Sequence, residues 1–201
     1  MVVVLVGFAV AVGALLAWVN HITEKPIAEK AEKTLADGIK TVMNADGVKV
    51  GEPQQVTQTI DGKSVGFTIH PCANTQGTAI GAAVESAANG FGGNLKVLVG
   101  FSTEGKILGY TILETSETPG LGAKADKWFQ KDGKGSIIGL SPKEGDLHVS
   151  KDDKSGNAID AITASTITSR AFLKAVNEAY AAYTQKQADG HSGATRQAKK
   201  S

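Results

Sequence analysis

The first 23 residues contain no lysine, arginine, aspartate or glutamate, and Val2 to Val19 is almost wholly apolar. Such a stretch is driven out of water. As a helix rising about 1.5 Å per residue, roughly 18 to 20 residues approach the ~30 Å hydrocarbon thickness of a bilayer. Trp18 falls where an interfacial ring belongs. Residues 1–22 therefore read as a single transmembrane anchor. A secretory signal fits less well, since no basic n-region precedes the segment and no A-x-A-like cleavage site follows it. The nearest cations, Lys25, Lys30 and Lys33, come after the span, the side that the positive-inside rule assigns to the cytoplasm. A basic segment ahead of Met1 would reverse that balance.

The remainder is long enough for one domain, in a chain of 201 residues. Lys+Arg number 21 against 20 Asp+Glu, and aromatics are 5%, so no basic face for nucleic acid is present. Cys72 is the only cysteine. It cannot form an internal disulfide or by itself hold a cluster or a zinc ribbon, so redox chemistry requires a bound organic cofactor. The four histidines, His21, His70, His148 and His191, make no i,i+3 or i,i+4 pair, and no metal site is expected. Cys72 is expected to be a small buried residue, and Trp128-Phe129 to pack in the core.

Thr23 reads as an N-cap with Pro26 in the first turn, and Ile27, Ala31, Leu35, Ile39 and Val42 continue a helical stripe. Residues 23–48 are thus expected to form a juxtamembrane helix. From Gln54 the period changes to two, and Val56 to Ile60 and Ser64 to His70 flank Asp61-Gly62, a hairpin signal. Leu95 to Phe101 and Lys106 to Glu114 form a further pair, expected to be central in the sheet. A last helix from about Ser169 to Tyr183 carries Phe172, Val176, Ala179, Tyr180 and Tyr183 on one side. The fold class is α+β, an antiparallel sheet with flanking helices over 49–183. Residues 184–201 carry a net charge of +3, leaving −2 on the rest, and are expected to be a flexible tail.

Three stretches can carry chemistry. Asn89-Gly90-Phe91-Gly92-Gly93 precedes a strand and is not a G-x-G-x-x-G fingerprint opening a helix. Glu117-Thr118-Pro119-Gly120-Leu121-Gly122 is a turn that proline stiffens and glycine relaxes. Asp160 to Ser169 holds five hydroxylic residues and runs into the last helix. An N-cap explains one or two of them, and a helix start is also a favourable seat for phosphate.

In this order, GFGG before a strand, SETPGLGAKADKWF, and DAITASTITSRAF opening a final helix resemble the FMN-binding domain shared by the G subunit of the Rnf complex and the C subunit of the sodium-pumping NADH:quinone reductase. The resemblance covers nearly the whole chain. It implies FMN joined by a phosphodiester to the threonine ending D-x-x-(S/T)-G-A-T, installed by a separate flavin transferase that uses FAD. Matched residue by residue, the acceptor is Thr166, with Asp160 and Thr163 as the acidic and hydroxylic positions. Ala164 and Ser165 depart from the pattern's glycine and alanine. Asp189 to Thr195 fits the pattern more literally but has no helix after it, which makes Thr195 a rival acceptor. The resemblance further implies that Glu117, Thr118, Gly120 and Leu121 line the flavin pocket, and that Gly92 belongs to a second wall. Thr168 and Ser169 then lie near phosphate or ribityl oxygens.

The function so implied is electron relay within an ion-translocating oxidoreductase of the Rnf type, which moves electrons between ferredoxin and NAD. Other membrane and redox subunits would be its partners. The domain would lie on the periplasmic side of the inner membrane. Alternatives are a component like the quinone reductase's C subunit, a free-standing anchored flavin reductase and a non-redox assembly protein.

Overall fold

The computed structural model describes residues 2–45, 47–60 and 62–192. The chain divides between Asp37 and Gly38 into two units. Helix α1, Val2–Met43, begins with Val2–Ile22, whose mean hydropathy is 2.7 and none of which is buried within the protein. By length and composition this segment can cross a membrane. The helix start expected at Thr23 does not occur, because α1 is continuous. Ending one helix and beginning another would leave four carbonyls and four amides unpaired, which continuity avoids.

In the second unit the end of α1 lies on a sheet. Ile39, Val42 and Met43 are buried, and a Cβ at Gly109 would stand 2.8 Å from the Val42 carbonyl oxygen. Glycine at Gly100 and Gly109 thus lets helix backbone approach strand backbone. Asn44, at φ 45°, closes the helix in the left-handed conformation that asparagine tolerates.

The sheet comprises β1 (Lys49–Val50), β2 (Gln54–Ile60), β3 (Lys63–Ala73), β4 (Ala79–Asn89), β5 (Asn94–Ser102) and β6 (Ile107–Thr115). Strands β3 to β6 form an antiparallel meander, and β1 and β2 share the free edge of β3. The hairpin about Asp61-Gly62 forms as expected, with Ile60 opposite Lys63. Of the pair expected to be central, only β5 is; β6 ends the sheet. Its edge is closed by a loop, since Ile107 N donates to Leu140 O at 2.9 Å and Gly139 N donates to Ile107 O at 2.8 Å. That covering strand-like contact comes from residues with no alternating pattern, which is why β6 reads as an inner strand in sequence.

Helix α3, Thr166–Ser192, packs on β4 and β5. Phe172, Val176, Ala179 and Tyr183 are buried, as the stripe predicts. Phe172 stacks on Phe129 at 4.4 Å and meets Tyr110 edge-on at 4.7 Å. The helix continues beyond Tyr183 to Ser192, where a flexible tail was expected; alanine, glutamine and lysine favour that extension. The tail's second motif copy ends at Thr195, outside the described residues. Between β6 and α3 lie a one-turn helix α2 (Ala125–Trp128) and the parallel pair β7 (His148–Val149) and β8 (Ala158–Ile159).

Candidate functional site

The start of α3 is built by the loop that leaves β8. Asp160 is exposed; its carboxylate accepts from Ser150 Oγ at 2.8 Å, and its carbonyl accepts from the Trp128 indole at 2.7 Å. Ser169, fully buried, spends its hydroxyl inside the protein: Ile162 N donates to it and it donates to Ser165 O, both at 3.0 Å. Ala164 takes φ 62°, a left-handed conformation that a Cβ disfavours. The turn reverses the chain into Ser165, whose carbonyl accepts the first intrahelical bond, from Ser169 N at 3.0 Å. The amides of Thr166, Ile167 and Thr168 therefore have no intrahelical acceptor and carry the positive end of the helix dipole.

Across from this turn sits Glu117, 7% exposed. One carboxylate oxygen accepts from Phe91 N at 2.7 Å and Gly92 N at 3.3 Å. The other accepts from Thr168 Oγ1 at 2.9 Å. One side chain thus ties the loop between β4 and β5 to the first turn of α3. The glycines around it are explained by this contact. A Cβ at Gly90 would strike one Glu117 oxygen, and a Cβ at Gly122 would strike the other and stand 2.8 Å from Thr168 Oγ1. At Gly92 it would run into the Ser116 carbonyl and stand 3.0 Å from Glu117 Cα.

The two loops and the helix start enclose a cleft of about 420 Å³, lined by residues 91, 117, 118, 121, 122 and 164–168. Of the residues expected at the site, Glu117, Thr118, Leu121, Thr166 and Thr168 line it. Gly92 supports it from behind through its amide. Thr163 is exposed and outside the lining, as are Asp160 and the buried Ser169; Gly120 lines a neighbouring surface depression. Phe91, in the GFGG run expected as a second wall, lines the cleft too, as do Gly122, Ala164, Ser165 and Ile167, which carry no pocket role in the sequence reading. Exposed apolar side chains could have signalled two of them, since Phe91 and Ile167 lie in glycine- and hydroxyl-rich runs where no core position is due.

The cleft suits a ligand with one anionic and one flat apolar end. Phe91, Leu121 and Ile167 are 72%, 42% and 52% exposed, a concentration of apolar surface at one rim. No lysine or arginine lines the cleft. Arg170, one turn into α3, is held in two hydrogen bonds by Asp152, at 2.8 and 2.5 Å. That pairing lowers the Asp152 carboxyl below its usual range. A phosphate here would be held by the helix amides instead. Thr166 is half-buried at the cleft edge, and among the described residues its hydroxyl has no hydrogen-bond partner. The hydroxyls of Thr168 and Ser169 are already engaged. The residues present therefore fit FMN.

Residues 90–181 match the FMN-binding domain family. The chain is 33% identical over 180 residues to the G subunit of the ion-translocating oxidoreductase complex of Yersinia pestis, covering 86% of this chain and 83% of the relative. The chain belongs to the family of these G subunits. Another member, the G subunit of the Na(+)-translocating ferredoxin:NAD(+) oxidoreductase complex of Acetobacterium woodii, is 33% identical over 166 residues, 82% of this chain and 73% of that one. In fold, the chain is similar to the C subunit of the Na(+)-translocating NADH-quinone reductase of Parabacteroides distasonis. The TM-score is 0.55 at 18% identity, over 78% of this chain and 91% of that one. The family domain spans the glycine loop, the Glu117 turn and the start of α3, so the cleft lies wholly within it.

Proposed function

We propose that this chain is a membrane-anchored flavoprotein subunit that relays electrons within an ion-translocating oxidoreductase complex, with FMN in the cleft at the start of α3. The observation that carries this reading is the meeting of three features. Unpaired helix amides, an unpartnered Thr166 hydroxyl and an exposed apolar rim stand within one 420 Å³ cleft, a volume in the range of small-molecule sites. When bound, FMN supplies exchange of one or two electrons without acid–base residues.

The chain's own residues have separate tasks in this reading. Thr166, Ile167 and Thr168 direct amides at the phosphate, where the helix dipole favours negative charge. Thr166 offers its hydroxyl as the attachment point of a phosphodiester made by a flavin transferase: it is the threonine that ends the D-x-x-(S/T)-x-x-T run, and its oxygen is not engaged by the protein's own bonds among the described residues. Leu121, Phe91 and Ile167 cover the ring and exclude water. Glu117 and Thr168 hold the two walls together. Residues 2–22 keep the domain at the inner membrane by a single pass, with the cleft on the periplasmic side, next to the membrane and redox subunits with which it exchanges electrons. Covalent attachment suits that side, where a lost cofactor is not readily replaced.

Intact mass, peptide mapping and in-gel flavin fluorescence test the reading, on chain co-produced with a flavin transferase. One FMN-sized increment is expected in the parent and in Thr195→Val, and none in Thr166→Val. Loss in Thr195→Val alone moves attachment to the tail, and no adduct or bound flavin in any variant removes the flavoprotein reading.

A further inference from the structure

We infer that Glu117 lowers the reduction potential of the flavin held in this cleft, acting as a fixed, uncompensated negative charge beside the ring; this rests on FMN occupying the cleft. Three observations converge on it. First, the charge has no counter-ion. Among the described residues every partner of the Glu117 carboxylate is a neutral donor, two backbone amides and one hydroxyl, and no lysine, arginine or histidine lines the cleft.

Second, the charge cannot move away. Both oxygens are held, and glycine at positions 90 and 122 leaves just enough space for them where any Cβ would intrude. A flexible surface glutamate would swing into solvent and be screened. This one is 7% exposed.

Third, the charge is close to whatever occupies the cleft. Glu117 lines it, and a cavity of about 420 Å³ keeps any occupant within about one Debye length, ~10 Å, of its wall. The helix amides that would offset the charge are the ones the phosphate takes. Each electron delivered to the ring adds one negative charge there, which a proton from water cancels when it follows. A neighbouring carboxylate raises the energy of the electron-rich form relative to the oxidised one, so the midpoint potential falls.

The experiment is a spectroelectrochemical titration of the full chain carrying FMN, in which an electrode supplies the electrons and water the protons. The parent is compared with Glu117→Gln, which keeps the shape and most hydrogen bonds without the charge, and with Glu117→Asp, which keeps the charge. The expected result is a midpoint more positive than the parent in Glu117→Gln and near the parent in Glu117→Asp. A Gln variant at the parent potential overturns the inference, as does an Asp variant shifted as far as Gln. If Glu117→Gln retains no flavin, Thr168→Val decides: removing a donor leaves the charge less shielded, so the midpoint must fall, and an unchanged or raised value overturns the inference. A parent that takes up no FMN overturns the functional reading and the inference together. A flavin-bearing parent with a charge-insensitive potential overturns the inference alone.

Discussion

Glu85 and Glu117 of this domain are both withdrawn from water, and they are treated in opposite ways. Glu85, on β4, has a side chain 11% exposed and is flanked by a histidine and a lysine: His70 Nε2 donates to it at 2.8 Å and Lys96 Nζ at 2.6 Å. The three lie diagonally across β3, β4 and β5, on the sheet face against which the end of α1 packs. Glu117, at the opposite helix terminus, is deeper and has only neutral donors. Charge pairing across strands serves cohesion. A carboxylate held by amides and a hydroxyl is costlier to build, and it stands in the lining of the cleft proposed for FMN.

The largest effect is expected from Glu117→Ala. It takes the acceptor from the Phe91 and Gly92 amides, leaves the buried Thr168 hydroxyl without its partner and opens space between glycines that no side chain fills, at a cost of about 3 kcal/mol. Denaturant unfolding of the detergent-solubilised chain measures it, and FMN retention should fall with it. A loss below about 1 kcal/mol would mean that the two loops are held together without the carboxylate. Glu85→Ala should cost less, about 2 kcal/mol, because Lys96 is 40% exposed and returns to water while only His70, 5% exposed, is left buried without its acceptor. If Glu85→Ala proved the more damaging, the contrast between the two carboxylates would be reversed.

Acid sharpens the same comparison. The hydrogen bond from His70, above all, with help from Lys96, holds the Glu85 carboxyl below its ordinary value of 4.5, against the opposing effect of burial. A carboxyl whose folded value is depressed contributes stability that is fully present above the unfolded value. That contribution is lost as pH falls from about 4.5 toward the lower folded value. Melting curves of the parent between pH 6 and 3, measured at about half-unit steps, should therefore decline more steeply than those of Glu85→Gln. Parallel curves would remove Glu85 as a contributor to acid sensitivity.

Much of this was legible in the residues, for identifiable reasons. The anchor is legible because the cost of placing eighteen apolar residues in water overrides every other preference. The stripe of Phe172, Val176, Ala179 and Tyr183 is legible because the helix is half-buried and its period shows. Strand β4 is not. Its sequence, Ala79 to Asn89, is rich in alanine, with one glycine, one serine, Glu85 and Asn89, and only Ile80 and Val84 are β-branched, so local propensity gives little signal. It is a strand because it pairs with β3 on one side and β5 on the other while α3 packs on it, contacts that exist only in the folded protein. The site shows the same division. Thr166, Leu121 and Glu117 announce themselves through motif order, but the role of Glu117 does not, since its partners are backbone amides of Phe91 and Gly92, and an amide has no residue type. The room that glycine leaves at positions 90 and 122 is taken by the oxygens of a protein carboxylate.

The smallest expected effect concerns the two non-glycine residues with positive φ among the described residues, each beside a helix end. Asn44, at φ 45°, follows α1, where the left-handed conformation is usual and asparagine bears it easily. Ala164, at φ 62°, precedes α3 and carries a Cβ in the same region at a cost of about 1 kcal/mol. Glycine there would relieve that strain but would also gain roughly 0.4 to 1 kcal/mol of conformational freedom in the unfolded chain. The two terms nearly cancel, so Ala164→Gly should raise stability by no more than about 0.5 kcal/mol, measured by denaturant unfolding. Since Ala164 lines the cleft, the balance has a second reading. A loss above about 1 kcal/mol would show that its methyl group packs usefully. In that case the departure from glycine is part of how this chain shapes its ligand site.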